Sequence, residues 1–179
     1  MSKEFLLLAP YLLLLAYLLI SRRAKLLRYA VLAFCLALIW TVAASSLYNY
    51  NTTTVSLFGI NLYALLGWSL GLLIGYILYS FAQRFVRCTT WWQKLLLFNA
   101  LYLPLLIVVE TIAYHYFNVV NVATTNYAGL PLCDCIHAPL WMQIAYFAIG
   151  SIFFMLTRLI KTLRTNTLET TPEIVSQPE

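Results

Sequence analysis

Residues 133–139 read CDCIHAP, and they gather most of the reactive side chains of this chain. The sequence holds four cysteines, two histidines and a single aspartate. Cys133, Asp134, Cys135 and His137 fall within five consecutive positions. In extended geometry Cys133, Cys135 and His137 project to one side and Asp134 and Ile136 to the other. Two thiolates and an imidazole suit a divalent metal, zinc or iron, with His115 or Glu110 the nearest fourth ligand in sequence. C-x-C-x-H is not a standard zinc spacing, however. Redox chemistry is a second reading. A Cys133–Cys135 bridge closes a tight ring, and tight bridges are the reactive ones, although the familiar redox spacing is C-x-x-C. The remaining cysteines, Cys35 and Cys88, lie far away in the sequence.

Glu110 is the other candidate. It is the only carboxylate inside any of the apolar runs described below. An acid inside a membrane is costly, and it is a functional candidate by default. At 1.5 Å per residue it lies roughly 22 Å along its span, near one membrane surface. His115 follows five residues later, about 140° around a continuous helix. Only a helix ending near Tyr114 would bring the two together. We therefore expect Glu110, His115, Asp134 and His137 to form the catalytic set of an outward-side pocket. In that arrangement LPLCDCIHAPLW, bounded by Pro131 and Pro139 and anchored by Trp141, lids the bundle as an interfacial cap. Thr41, Ser45, Asn61 and Gln143 lie at the same depth. The bland alternative is that these side chains satisfy one another and only shape the loop.

The elements that must position these residues are legible from hydropathy. Of 179 residues 63% are hydrophobic and 9% charged, where a soluble domain carries about a quarter charged. The long uncharged runs mark an all-α, polytopic integral membrane helix bundle. Five transmembrane helices are expected, at about 5–20, 27–45, 57–81, 95–114 and 138–157. They form a single domain, 1–164, followed by a polar, disordered tail, 165–179. Ten of the eleven Lys and Arg lie on one side of these spans, with only Lys3 on the other. The positive-inside rule then gives N-out/C-in, in the inner membrane if the source is bacterial. The first run is not read as a signal peptide, because its basic cluster, Arg22, Arg23 and Lys25, follows it. The net charge of +5 reflects topology and lipid headgroups rather than nucleic acid.

Gly67, Gly71 and Gly75 recur four apart and share one helix face. Such a face packs against a neighbouring helix, or against a second copy or a complex partner. Pro104 removes a backbone hydrogen bond below Glu110 and should kink the fourth span. Asn51-Thr52-Thr53 matches a glycosylation acceptor by chance composition. No nucleotide-binding loop and no repeat at solenoid spacing is present.

The order Glu110, Tyr127, Pro131, Pro139, Trp141 resembles that in small polytopic enzymes of carotenoid synthesis, over a short part of the chain and with unmatched spacing. The pocket itself suggests an isoprenoid or other lipid substrate that enters from the bilayer. Membrane-buried acid–base chemistry on a lipid or isoprenoid is the function expected. The alternatives are a non-catalytic accessory or scaffold subunit of a membrane complex and, with weaker support, a carrier for protons or small solutes.

Overall fold

A computed structural model describes residues 4–20, 24–51 and 54–169. Five helices follow one another: α1 (Glu4–Ile20), α2 (Ala24–Ala43), α3 (Leu62–Ala82), α4 (Trp91–Thr111) and α5 (Leu140–Glu169). Among the described residues four helical segments are long and apolar enough to cross a membrane: Leu26–Ala43, Leu62–Ala82, Trp91–Tyr116 and Leu140–Thr162. The apolar part of α1, Leu8–Ile20, is shorter. An all-α architecture with several helices long and apolar enough to cross a membrane is thus shared by sequence and structure.

Several boundaries differ from the hydropathic reading, for local reasons. The stretch 57–61 is not helical. Phe58 and Gly59 both take positive φ, 51° and 78°, and turn a short hairpin of β1 (Ser56–Leu57) and β2 (Ile60–Asn61). This is the φ pattern of a two-residue hairpin turn, and glycine meets it without steric cost. Asn61 then caps α3, its side chain accepting from the Ala64 N–H. Thr90 and Gln93 form a reciprocal capping box that starts α4 four residues before the expected span. Helix α5 runs on to Glu169, so 165–169 continue a helix rather than begin a disordered tail. Residues 170–179 lie outside the described residues.

The two connectors at one end of the bundle, α2 to α3 and α4 to α5, meet through matched asparagines. Tyr50 and Asn121 form an antiparallel bridge. Asn51 donates to the Asn118 carbonyl and accepts from the Val120 N–H, both at 3.1 Å. Asn121 in turn accepts from the Asn49 N–H at 3.0 Å and donates to the Leu47 carbonyl at 2.6 Å. Each asparagine supplies the donor and the acceptor that the opposite backbone lacks. The amide nitrogen of Asn51 is therefore already engaged within the fold. Its two threonine neighbours lie outside the described residues.

Below these connectors the core is aromatic. Phe98, Phe153 and Phe154 are fully buried with Leu72 and Leu73. Tyr102 of α4 passes between two glycines. Gly75 of α3 lies on one side, where an added Cβ would be 3.4 Å from the ring, and Gly150 of α5 lies on the other, where it would overlap the ring outright. The Tyr102 hydroxyl donates to the Tyr146 carbonyl at 3.0 Å, so the ring cannot swing away freely. Gly150→Ala is expected to destabilise the bundle by about 1–3 kcal/mol through overpacking. Thermal unfolding in detergent would measure this, and Gly150→Ala/Tyr102→Leu should recover part of the loss.

Candidate functional site

Helices α3 and α4 touch at Gly75 and Tyr102 and part toward the connector end. Their antiparallel register, with Gly75 opposite Tyr102, sets Gly71 at the level of Leu106 and Gly67 at the level of Glu110. All four line a cavity of about 260 Å³. The glycine face expected to pack thus does two things: Gly75 packs on α4, while Gly67 and Gly71 leave space. An added Cβ on Gly71 would meet nothing within 4 Å. The cavity walls are otherwise apolar and aromatic, with the rings of Tyr50, Tyr63, Trp68 and Tyr102 facing in. Val109, half exposed on the outer surface of α4, lies on its rim.

Glu110 is the only acidic or basic residue lining this cavity. It is half-buried, and among the described residues its carboxyl has no hydrogen-bond or ion-pair partner. A carboxyl left without a protein partner at an aromatic cavity is free to meet a ligand there, and such convergent polar groups mark candidate sites.

Beside the cavity lies a hydroxyl that sequence reading passed over. The Tyr48 oxygen accepts from Trp40 Nε1 at 2.7 Å and from Trp68 Nε1 at 2.8 Å. With both lone pairs engaged, its own proton goes to the Tyr146 hydroxyl, 3.2 Å away. Burial, the largest influence on it, holds the Tyr48 hydroxyl well above the usual phenol range, so it stays protonated and remains a donor. Trp68 is shared: its N–H anchors to Tyr48 and its ring walls the cavity. The signal was present in the sequence. Trp40 and Trp68 both lie in apolar spans, and each indole N–H needs an acceptor.

The CDCIHAP segment forms a separate structure on another face of α4. Cys133 and Cys135 are joined in a disulfide, and Leu130 bridges Cys135 backbone to backbone. Asp134 and Ile136 both take positive φ, 44° and 52°. For β-branched Ile136 that conformation is costly, and it persists here with the side chain buried. The polar side chains hold this turn in place. His115 Nε2 hydrogen-bonds the Cys133 carbonyl at 2.9 Å. His137 Nδ1 lies 2.8 Å from the Tyr127 carbonyl, Nε2 lies 3.2 Å from the Asp134 carbonyl, and the ring stacks on Tyr114. Gln143 Nε2 donates to the Ala128 and Ala138 carbonyls. The Asp134 side chain is largely exposed and 3.5 Å from His137 Nε2.

The expected convergence is therefore not made. His115, Asp134 and His137 do not line the Glu110 cavity. His115 stays off the cavity face of the helix that carries Glu110, as their separation of about 140° expects. Residues Ile112–Tyr116 form a wider π-helical turn at the end of that helix. The other polar residues at this depth are used locally. Asn61 caps α3, and Thr41 bonds back to the Ala37 carbonyl. Among the described residues no three His, Cys, Asp or Glu side chains gather as a metal site requires. A disulfide offers no thiolate, so Cys133, Cys135 and His137 cannot act as a zinc or iron set while the bridge is intact. We expect Cys35 and Cys88 to react with maleimide in denaturant without reductant, and Cys133 and Cys135 only after reduction. Intact-mass analysis reads this directly. Labelling of all four cysteines before reduction would return the thiolates to consideration as ligands.

No family model matches this chain, and no curated protein or solved structure is similar to it. The functional reading rests on the geometry alone.

Proposed function

We propose that the chain is a five-span membrane enzyme, N-out/C-in, that isomerises an apolar alkene lipid of the isoprenoid class by acid–base chemistry at Glu110. In a bacterium it would lie in the inner membrane. The observation that carries this reading is the single unpaired carboxyl in an aromatic-walled cavity between two membrane helices. The rim at Val109 faces outward from α4, so an apolar substrate would enter from the bilayer.

The step balances without a co-reactant. Glu110 gives its proton to one alkene carbon, leaving a carbocation on the neighbouring carbon. The faces of Tyr50, Tyr63, Trp68 and Tyr102 stabilise that cation through their π-electrons. The Glu110 carboxylate then removes a proton from an adjacent carbon, restoring the acid. The product is an isomer of the substrate, opened, shifted or cyclised according to how the cavity folds the chain. Exclusion of water protects the cation from capture.

The test uses the full chain in proteoliposomes with a panel of linear isoprenoids in deuterated water. The expected product is isomeric with its substrate and heavier by a single deuterium. Gly71→Leu, which fills the cavity, should abolish conversion while the protein still folds. Absence of conversion and of binding across the panel would overturn the reading. A stoichiometric co-purifying protein, lost in Gly71→Leu, would then favour the accessory-subunit role.

A further inference from the structure

The opposite end of the bundle carries a second cavity, of about 390 Å³, with a different chemistry. Lys94 of α4 and Arg158 and Lys161 of α5 line it, together with Tyr29, Tyr79 and Gln83 from the ends of α2 and α3. None of its lining residues is acidic. Lys94 and Arg158 face one space with no acidic residue in its lining, and like charges repel more strongly where protein excludes water. Arg158 sharpens the point. Its Nη1 is buried and, among the described residues, has no hydrogen-bond partner. A guanidinium N–H taken out of water without an acceptor is costly, and such atoms mark a partner that is not protein. Lys94 adds to the imbalance. It lies in the first turn of α4, where the helix dipole disfavours a cation.

From these observations we infer that this cavity binds a phosphate-bearing anion. The guanidinium fork pairs two oxygens of a phosphate, and the two ammonium groups neutralise it as point charges. The tyrosines and Gln83 supply a polar rim at the level where the apolar spans end. That is the depth of lipid headgroups, so an anionic phospholipid and a free phosphate share the chemistry the site requires. This site is independent of Glu110, which lines a cavity at the other end of the bundle.

The experiment uses the full chain in detergent. Thermal unfolding and native mass spectrometry are read with phosphatidylglycerol, with phosphatidylcholine and with inorganic phosphate. Phosphatidylglycerol is expected to raise the unfolding temperature and remain bound, where phosphatidylcholine does neither. Lys94→Gln/Arg158→Gln should remove that shift, and each single substitution should weaken binding about fivefold. Arg84→Gln/Arg87→Gln, which removes two exposed cations outside the cavity, should leave it unchanged. A shift reproduced by inorganic phosphate, and lost in the same double variant, would assign the site to a soluble phosphate instead. If the double variant does not fold, Lys94→Gln alone carries the comparison. Equal response to both phospholipids, or equal loss in the Arg84/Arg87 control, would overturn the inference.

Discussion

Glu110→Gln is expected to lower isoprenoid conversion by about 10²–10⁴-fold while the protein folds and unfolds as before. The amide has the shape of the carboxyl and sits in the same cavity, but it cannot deliver a proton. Loss of rate at unchanged stability would separate chemistry from packing. Glu110→Asp keeps the acid and withdraws it by one methylene, so it should retain part of the rate. The cap provides the contrast. His137 holds the 127–137 turn, its ring N–H donating to one of the two carbonyls beside it, Tyr127 or Asp134, and does not line the cavity. His137→Ala should therefore cost stability and spare the rate of the folded fraction. A His137→Ala protein that is fully folded and inactive would show that the cap joins the reaction after all. Conversion unaffected by Glu110→Gln would remove the acid from the mechanism.

Glu110 could be found from the sequence because a lone acid in an apolar run has no bland composition to hide in. Its surroundings could not. Which residues face it depends on the register of α3 against α4, which Gly75 and Tyr102 set by close packing. Periodicity places Gly67, Gly71 and Gly75 on one face but does not say where two helices part. Proximity in sequence favoured His115, whereas its angular position on the helix, about 140° from Glu110, already set it off the cavity face. The apolar runs gave the four long spans to within a few residues. They failed at 57–61, where Leu57, Phe58 and Ile60 look like membrane residues yet Phe58-Gly59 turns a hairpin. Hydropathy responds to side chains, and a turn is decided by backbone conformation. The cysteines were visible as a cluster, but spacing alone left metal, bridge and cap open.

Tyr48→Phe is expected to have the largest effect on stability of any single-atom change in the molecule. The oxygen it removes accepts two indole N–H groups and donates to the Tyr146 hydroxyl. Trp68 and Tyr146 are buried beside it. A single hydrogen bond contributes only about 1 kcal/mol net, because water would satisfy the same groups in the unfolded chain. Deleting a shared acceptor is different, since each orphaned donor keeps its desolvation cost of about 1–3 kcal/mol with nothing in return. Two orphaned indoles then exceed what an isolated Tyr→Phe change would remove. The asymmetry is testable by a double-mutant cycle. Trp40→Phe takes away one of the donors, so Trp40→Phe/Tyr48→Phe should be less destabilised than the sum of its single variants. Additive losses would mean that the indoles find other acceptors and that Tyr48 is not the hub. The same cycle reads on function, because Trp68 anchors to Tyr48 by its N–H and walls the Glu110 cavity with its ring. Freed from Tyr48, that ring is no longer held against the cavity. Substrate binding should weaken in Tyr48→Phe even under conditions where the protein remains folded.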